Sequence, residues 1–311
     1  MENSALWFRQ FGEPEQVLTL EKTRLPPLCP GTLRVRMLYA PINPSDLIPI
    51  TGAYSHRVFP PRVAGYEGVG IVEQAHEPEW LGKRILPLRG DGTWQRRVDC
   101  SPRWAVPVPD TISSELAARG YINPLAAWLM LTSWPVAGKK LLITAAGSAC
   151  ASLLIQWAKA QGADEIYAVY RSEQHVPELL GHGVIPLSIK NGAAIAEAAE
   201  RVDVVYDAVG GELATLMLEN LNPSAAMVSY GLLSGKAFSP RGKNVIAQRF
   251  HLRDVLAVTP VEVWQSWFVT MWQELEHCNL SGTERYPLEE WRQALALFRK
   301  PGRQSKPLLV L

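Results

Sequence analysis

The sequence predicts an α/β protein in two parts. A barrel-like β domain is assembled from both ends of the chain, and between them lies a domain built on a doubly wound parallel sheet. Three observations lead there. Up to about residue 110 the chain is a series of short strand candidates punctuated at Pro26-Pro27, Pro30-Gly31, Pro41, Pro44 and Pro60-Pro61, the pattern of a small barrel. From Ser113 to about residue 230 short apolar runs alternate with helical stretches, which makes parallel βαβ units. Beyond residue 255 amphipathic helices and a last strand follow. The expected division is 1–115 with 256–311 for the first domain and 116–255 for the second.

Each element has its own signal. Residues 32–40 (TLRVRMLYA) alternate apolar and polar side chains as a half-buried strand does, and residues 63–74 end in the strand-like GVGIVEQ. In the middle domain, strands are expected at 140–145, 165–170, 184–187, 202–208 and 225–230. Helices are expected at 149–161, 173–181 and 212–220. The segments 75–81 and 191–201 read as short loops. Residues 261–278 form a Trp- and Phe-rich amphipathic helix, 287–298 another with Pro287 in its first turn, and 308–311 a closing strand.

Composition narrows the function. With 47% hydrophobic and 20% charged residues, the 311-residue chain has enough apolar side chains for two cores. A net charge of +1 without a basic run argues against nucleic acid or a membrane surface as partner. No apolar run reaches the ~18 residues that a membrane span needs. The first ten residues lack the basic and apolar regions of a signal peptide, so a cytoplasmic protein is expected. Cys29, Cys100, Cys150 and Cys278 are scattered without metal-ligand spacing and read as reduced thiols. Most of the eleven Trp residues are expected in the core, although Trp264, Trp267, Trp272 and Trp291 could also line an apolar channel.

The strongest local chemistry is at Ala146, Gly147, Ser148, Ala149 and Cys150, where a strand runs through small residues into a helix. Small side chains let the backbone approach a pyrophosphate, and the helix N-terminus offers N–H groups and a positive dipole end. Close helix–sheet packing without a ligand explains the same residues. The next strand ends in Tyr170, Arg171 and Ser172 rather than in the acidic residue that binds ribose hydroxyls. Arg171 suits the 2′-phosphate of NADPH, with Ser172 adding a hydroxyl and Tyr170 lying against adenine; the alternative is an ordinary surface arginine.

An ordered set of motifs then resembles a known family. APINPSDL at 40–47, TGAY at 51–54, GYEGVG at 65–70, GTW at 92–94, NPLAAW at 123–128, DAVGG at 207–211 and Tyr230-Gly231 are similar to the medium-chain dehydrogenases/reductases. The likeness is greatest to the mitochondrial-type trans-2-enoyl thioester reductases and their bacterial relatives. The resemblance implies a GroES-like catalytic domain, a Rossmann domain, NADPH as cofactor and a homodimer. It nominates Tyr54 as proton donor, with Trp94 supporting the same pocket. Asn43, Asn123, Val209, Gly210, Tyr230 and Gly231 join the loop residues in holding the cofactor, with Asn43 toward the nicotinamide ribose. Zinc-dependent relatives carry Cys near Asn43 and His at Tyr66, so the resemblance implies a zinc-free enzyme. The chain departs from the family at Ala149 and Ala151, where glycines are expected, and at Ala126-Ala127-Trp128.

Three functions fit these readings. The first is reduction of an enoyl thioester or a related conjugated carbonyl, in which a phenol protonates the carbon next to the carbonyl. The second is quinone reduction, which needs only cofactor and cleft. The third is a nucleotide-binding relative without catalysis, motivated by the alanines in the phosphate loop.

Overall fold

The computed structural model describes residues 1–90 and 92–311. The chain folds into two compact units. The first comprises Met1–Ile122, Pro260–Glu276 and Ser281–Leu311; the second comprises Asn123–Thr259 and His277–Leu280. The crossings thus fall at 122/123 and 259/260, a few residues beyond the 115 and 255 expected. The short 277–280 return goes with the second unit because Gln156 Nε2 donates to the Asn279 carbonyl at 2.9 Å and Asn279 N–H to Gln156 Oε1 at 2.8 Å.

The first unit is built on two sheets. One has the order Leu18–Arg24, Glu2–Phe8, Arg62–Val63; the other runs Gly282–Pro287, Ser305–Val310, Leu33–Pro41, Val69–Ala75, Arg84–Pro87, Ala105–Pro107, with Arg97–Cys100 also paired to Leu33–Pro41. Strand Leu33–Pro41 shows why its sequence folds this way. Leu33, Val35 and Met37 alternate into a core with Val72, Ile85 and Val98. Arg34 lies on the other face, where Asp99 binds it bidentately at 2.7 and 2.8 Å. A second core gathers Leu6, Phe8, Leu18, Ile42, Ile50 and Trp94 from the first half of the chain with Leu288, Trp291 and Leu295 from its end. Both chain ends are therefore needed to complete this unit. Trp264, Trp272 and Trp291 are buried in it, and Trp264 stacks on Trp104 with centroids 5.7 Å apart, so these indoles are packing rather than channel lining.

The second unit carries a six-stranded sheet in the order Ile185–Ser188, Glu165–Tyr170, Lys140–Ile143, Val204–Asp207, Ala226–Ser229, Gln248–Arg249. Every neighbouring pair is parallel. The chain winds outward one way from Lys140–Ile143 and then the other way from Val204–Asp207, so the order reverses between these two strands.

Residues 191–201 depart from expectation. Read as a short loop, they hold the helix Gly192–Arg201. Asn191 caps it, accepting from Ala194 N–H at 3.1 Å, and Ile195, Ala198 and Ala199 turn one face into the core. Its apolar stripe is mostly alanine, too small to stand out as periodic hydrophobicity. In 75–81, a 3₁₀ turn spans Pro78–Trp80.

Candidate functional site

The turn after strand Lys140–Ile143 lies at the point where the strand order reverses, and is shaped by three small residues. Ala145 takes φ +51°, a left-handed conformation that costs a residue with Cβ roughly 1–2 kcal/mol. Gly147 is exposed, and a Cβ placed there would overlap Cδ2, Nε2 and Cγ of the His175 ring. A side chain here would have to displace the His175 ring. Ser148 then caps helix Ala149–Ala160, its hydroxyl accepting from Ala151 N–H at 3.2 Å. Ala146 N–H is fixed to the Val169 carbonyl at 3.0 Å.

The two alanines that replace family glycines behave differently. Ala149 is half-buried on the loop, whereas Ala151 is fully buried. The Ala151 methyl is spent on packing and leaves the loop open. Cys150 is buried, and its thiol points at the Asn123 carbonyl at 3.9 Å, which brings the start of helix Ile122–Ser133 to the loop.

The second strand ends where the sequence placed it. Arg171 is exposed and Ser172 half-buried, at the start of the 3₁₀ turn Glu173–His175. The Tyr170 hydroxyl is engaged by the Glu173 carboxylate at 3.0 and 3.2 Å, so burial and this bond hold its pKa above the usual phenol value. The Glu173 bond within this turn is a feature that the sequence reading missed.

The later loops are tied to the first by one buried aspartate. Thr144 Oγ1 donates to Asp207 at 2.7 Å and accepts from Ala208 N–H at 2.9 Å. Asp207 also accepts from the N–H groups of Val209 and Gly210 at 3.0 and 2.9 Å. Burial pushes its carboxyl pKa up despite these bonds. Gly210 has φ +73°, and Gly231 sits so close to Ala208 that an added Cβ would lie 2.8 Å from its carbonyl oxygen. Tyr230 N–H donates to the Asp207 carbonyl at 2.8 Å. The residues expected to hold a nucleotide in this unit thus gather on the carboxyl side of one parallel sheet.

In the first unit, Tyr54 lies in the turns that follow the 3₁₀ segment Ile48–Thr51, half-buried against the core that contains Trp94. The Arg57 guanidinium is 5.6 Å from the centre of its ring, and His56 meets it edge-on at 6.1 Å. Trp94 itself is 1% exposed and its indole N–H donates to the Pro41 carbonyl at 3.1 Å. It buttresses Gly65, where a Cβ would overlap the indole.

Asn43 is buried, with its amide held on both sides: Nδ2 donates to Glu67 at 2.7 Å and Oδ1 accepts from Lys306. Asn43 thus belongs to a buried charged cluster that the sequence reading did not identify. Asp46 accepts from the backbone N–H groups of Asn43 and Tyr66 at 2.8 and 2.9 Å. Glu67 Oε2 accepts from Ile122 N–H at 2.7 Å and Tyr121 N–H at 3.3 Å. Burial raises the carboxyl pKa of Glu67 and pushes that of Asp46 up to about 7, the Glu67 charge adding to the latter. Burial lowers Lys306 to about 8. Asp46 and Glu67 stand inside the quoted motifs, but Lys306 lies in a strand expected to begin only at 308 and carries no local signal.

Known proteins resemble this chain in sequence and in fold. The alcohol dehydrogenase GroES-like domain family matches residues 29–110, and the zinc-binding dehydrogenase family matches residues 149–277. The mitochondrial enoyl-[acyl-carrier-protein] reductase of Xenopus tropicalis is 30% identical over 250 residues, covering 74% of this chain and 70% of that protein. The chain belongs to the medium-chain dehydrogenase/reductase family of oxidoreductases. The Mus musculus enoyl-[acyl-carrier-protein] reductase is 27% identical, over 99% of this chain and 88% of that one. A solved structure from Bacillus thuringiensis, provisionally assigned as an NADPH:quinone reductase, is 34% identical with a TM-score of 0.92, covering 100% of this chain and 99% of that one. A mitochondrial 2-enoyl thioester reductase heterodimer from Candida tropicalis shares the fold at 20% identity, covering 100% of both chains with a TM-score of 0.82.

Proposed function

We propose that this protein is an NADPH-dependent reductase acting on the conjugated double bond of an enoyl thioester or a related α,β-unsaturated carbonyl. The observation that carries the reading is Tyr54, a half-buried phenol beside a guanidinium, in a chain 30% identical to an enoyl-[acyl-carrier-protein] reductase. The second unit fits the cofactor. Its phosphate turn has no side chain larger than Ser148 from Ala145 to Ala149, Gly147 leaves the backbone bare, and the strand order reverses beside it. In this reading Ala146 to Cys150 and Asn123 hold the pyrophosphate end, Tyr170, Arg171 and Ser172 the 2′-phosphate ribose, and Val209, Gly210, Tyr230 and Gly231 the nicotinamide half. NADPH, when bound, supplies a hydride.

The chain's own residues do the rest. Tyr54 donates a proton to the carbon next to the carbonyl, and Arg57 offsets the charge that develops on the phenol oxygen. Trp94 supports the core against which Tyr54 packs. Asn43, held in the buried cluster by Glu67 and Lys306, stands toward the nicotinamide ribose in this reading, and Asp46 ties its backbone N–H to that of Tyr66. Zinc has no part in this scheme: Asn43 offers an amide and Tyr66 a phenol, and both Asp46 and Glu67 are committed to backbone N–H groups. A homodimer joined along the exposed Gln248–Arg249 edge strand and a cytoplasmic location complete the proposal.

The resemblance to the Bacillus thuringiensis protein favours a second reading, quinone reduction. The two are separated by NADPH oxidation with a short trans-2-enoyl thioester and with a simple quinone, in wild type and Tyr54→Phe. Loss of about 10²–10⁴-fold with the thioester is expected from removing a general acid. Turnover of the quinone alone, unchanged in the variant, replaces the enoyl reading.

A further inference from the structure

The His175 ring has no role in the reading above, yet it lies against the phosphate turn. A Cβ on Gly147 would overlap three of its ring atoms, so the imidazole packs directly on the bare glycine backbone. It reaches that place from the 3₁₀ turn Glu173–His175, which begins at Ser172 and is closed by the His175 N–H to the Ser172 carbonyl at 3.2 Å. The ring therefore bridges two segments: the turn that faces a pyrophosphate and the strand end that faces a 2′-phosphate. His175 is half-buried and Gly147 is exposed, so the contact lies at the surface and not in the core. The charged residues just before it in the chain are Arg171, which is exposed, and Glu173, whose carboxylate is engaged by the Tyr170 hydroxyl. An imidazole N–H at this corner adds a donor, and when protonated a charge, to the Arg171 guanidinium.

We propose that His175 is a second recognition residue for the 2′-phosphate, acting with Arg171 to select NADPH over NADH. The assignment rests on the nucleotide reading of the second unit. It makes Gly147 part of cofactor choice as well: the glycine is what allows the imidazole to lie on the loop.

The test is binding rather than turnover. Calorimetric titrations of NADPH, NADH and 2′,5′-ADP into wild type, His175→Gln, His175→Leu and Arg171→Ala read the 2′-phosphate contact directly. His175→Leu is expected to weaken NADPH and 2′,5′-ADP about 10- to 100-fold, as loss of a hydrogen bond to a charged group does, and to leave NADH unchanged. His175→Gln keeps a donor but no charge and is expected to fall between wild type and His175→Leu. Unchanged NADH binding also shows that the variants are folded. Equal weakening of NADPH and NADH in His175→Leu makes the ring a wall of the phosphate turn and overturns the assignment, as does no change in either. Wild-type protein that binds neither nucleotide overturns the underlying reading and this one with it.

Discussion

Asp46 is the residue whose burial has the most direct consequence in solution. Two backbone N–H groups bind its carboxylate, yet burial and the nearby Glu67 raise its pKa from 3.8 to about 7. The folded carboxyl holds its proton more tightly than the unfolded one. Its contribution to stability is then fully present below about pH 3.8 and is lost as pH rises through about 7. The difference in urea midpoint between wild type and Asp46→Asn should therefore shrink between about pH 5 and about pH 8; a difference that grows over that range would refute the assignment. Even when protonated, the carboxyl presents two oxygens that can accept, whereas asparagine has one, so the variant also loses one of the two N–H partners. Its midpoint should be lower than wild type at about pH 5. Three other residues show how far a sequence reading reaches at this scale. Tyr54 and Arg171 stand in motifs or at strand ends whose chemistry is local, and could be singled out in advance. The partners of Asn43 could not be read in advance, because the groups that hold it come from residue 67 and residue 306.

At the scale of elements, the strands were the legible part. The run EIYAVY forms strand Glu165–Tyr170 with the expected ends, because β-branched and aromatic residues fill both faces of a buried parallel strand. Helix Ala149–Ala160 was equally plain, with Ser148 as its cap and a face of Leu153, Leu154 and Trp157. Helix Gly192–Arg201 was not, although its cap is a good one. Removing that cap tests how much the helix depends on it: Asn191→Ala should cost about 1 kcal/mol of unfolding free energy, measured by urea titration, whereas a change below a few tenths would mean that tertiary packing alone holds the helix. The hairpin of Glu2–Phe8 and Leu18–Arg24 was hidden for another reason. Its registered pairs, such as Leu6 with Leu20 and Ser4 with Lys22, place polar and apolar residues in mixed order, so neither strand alternates cleanly.

For the whole molecule, the two units differ in how the chain makes them. The parallel sheet is closed by consecutive βαβ turns, whereas the other unit needs strand Ser305–Val310 beside Leu33–Pro41, a pairing between opposite ends of the chain. That pairing also carries Lys306 to Asn43, 263 residues away in sequence, and supplies the countercharge for the Glu67 and Asp46 carboxylates. For a zinc-free reductase, exhaustive dialysis against a chelator should leave NADPH-dependent reduction within about twofold of the untreated rate, well under the roughly tenfold that ~1.4 kcal/mol represents. Loss of activity that added zinc restores would sink the zinc-free assignment. The sequence by itself determined the fold class, five of the six strands of the parallel sheet, the turn of small residues and the basic strand end, since each rests on neighbours within a few positions. Only the tertiary structure decided that Ala151 is fully buried, that Trp94 is a buttress, that His175 lies on Gly147, and that Asn43 is shared between Glu67 and Lys306. Those are contacts between side chains distant along the chain, and local propensity and periodicity carry no record of them.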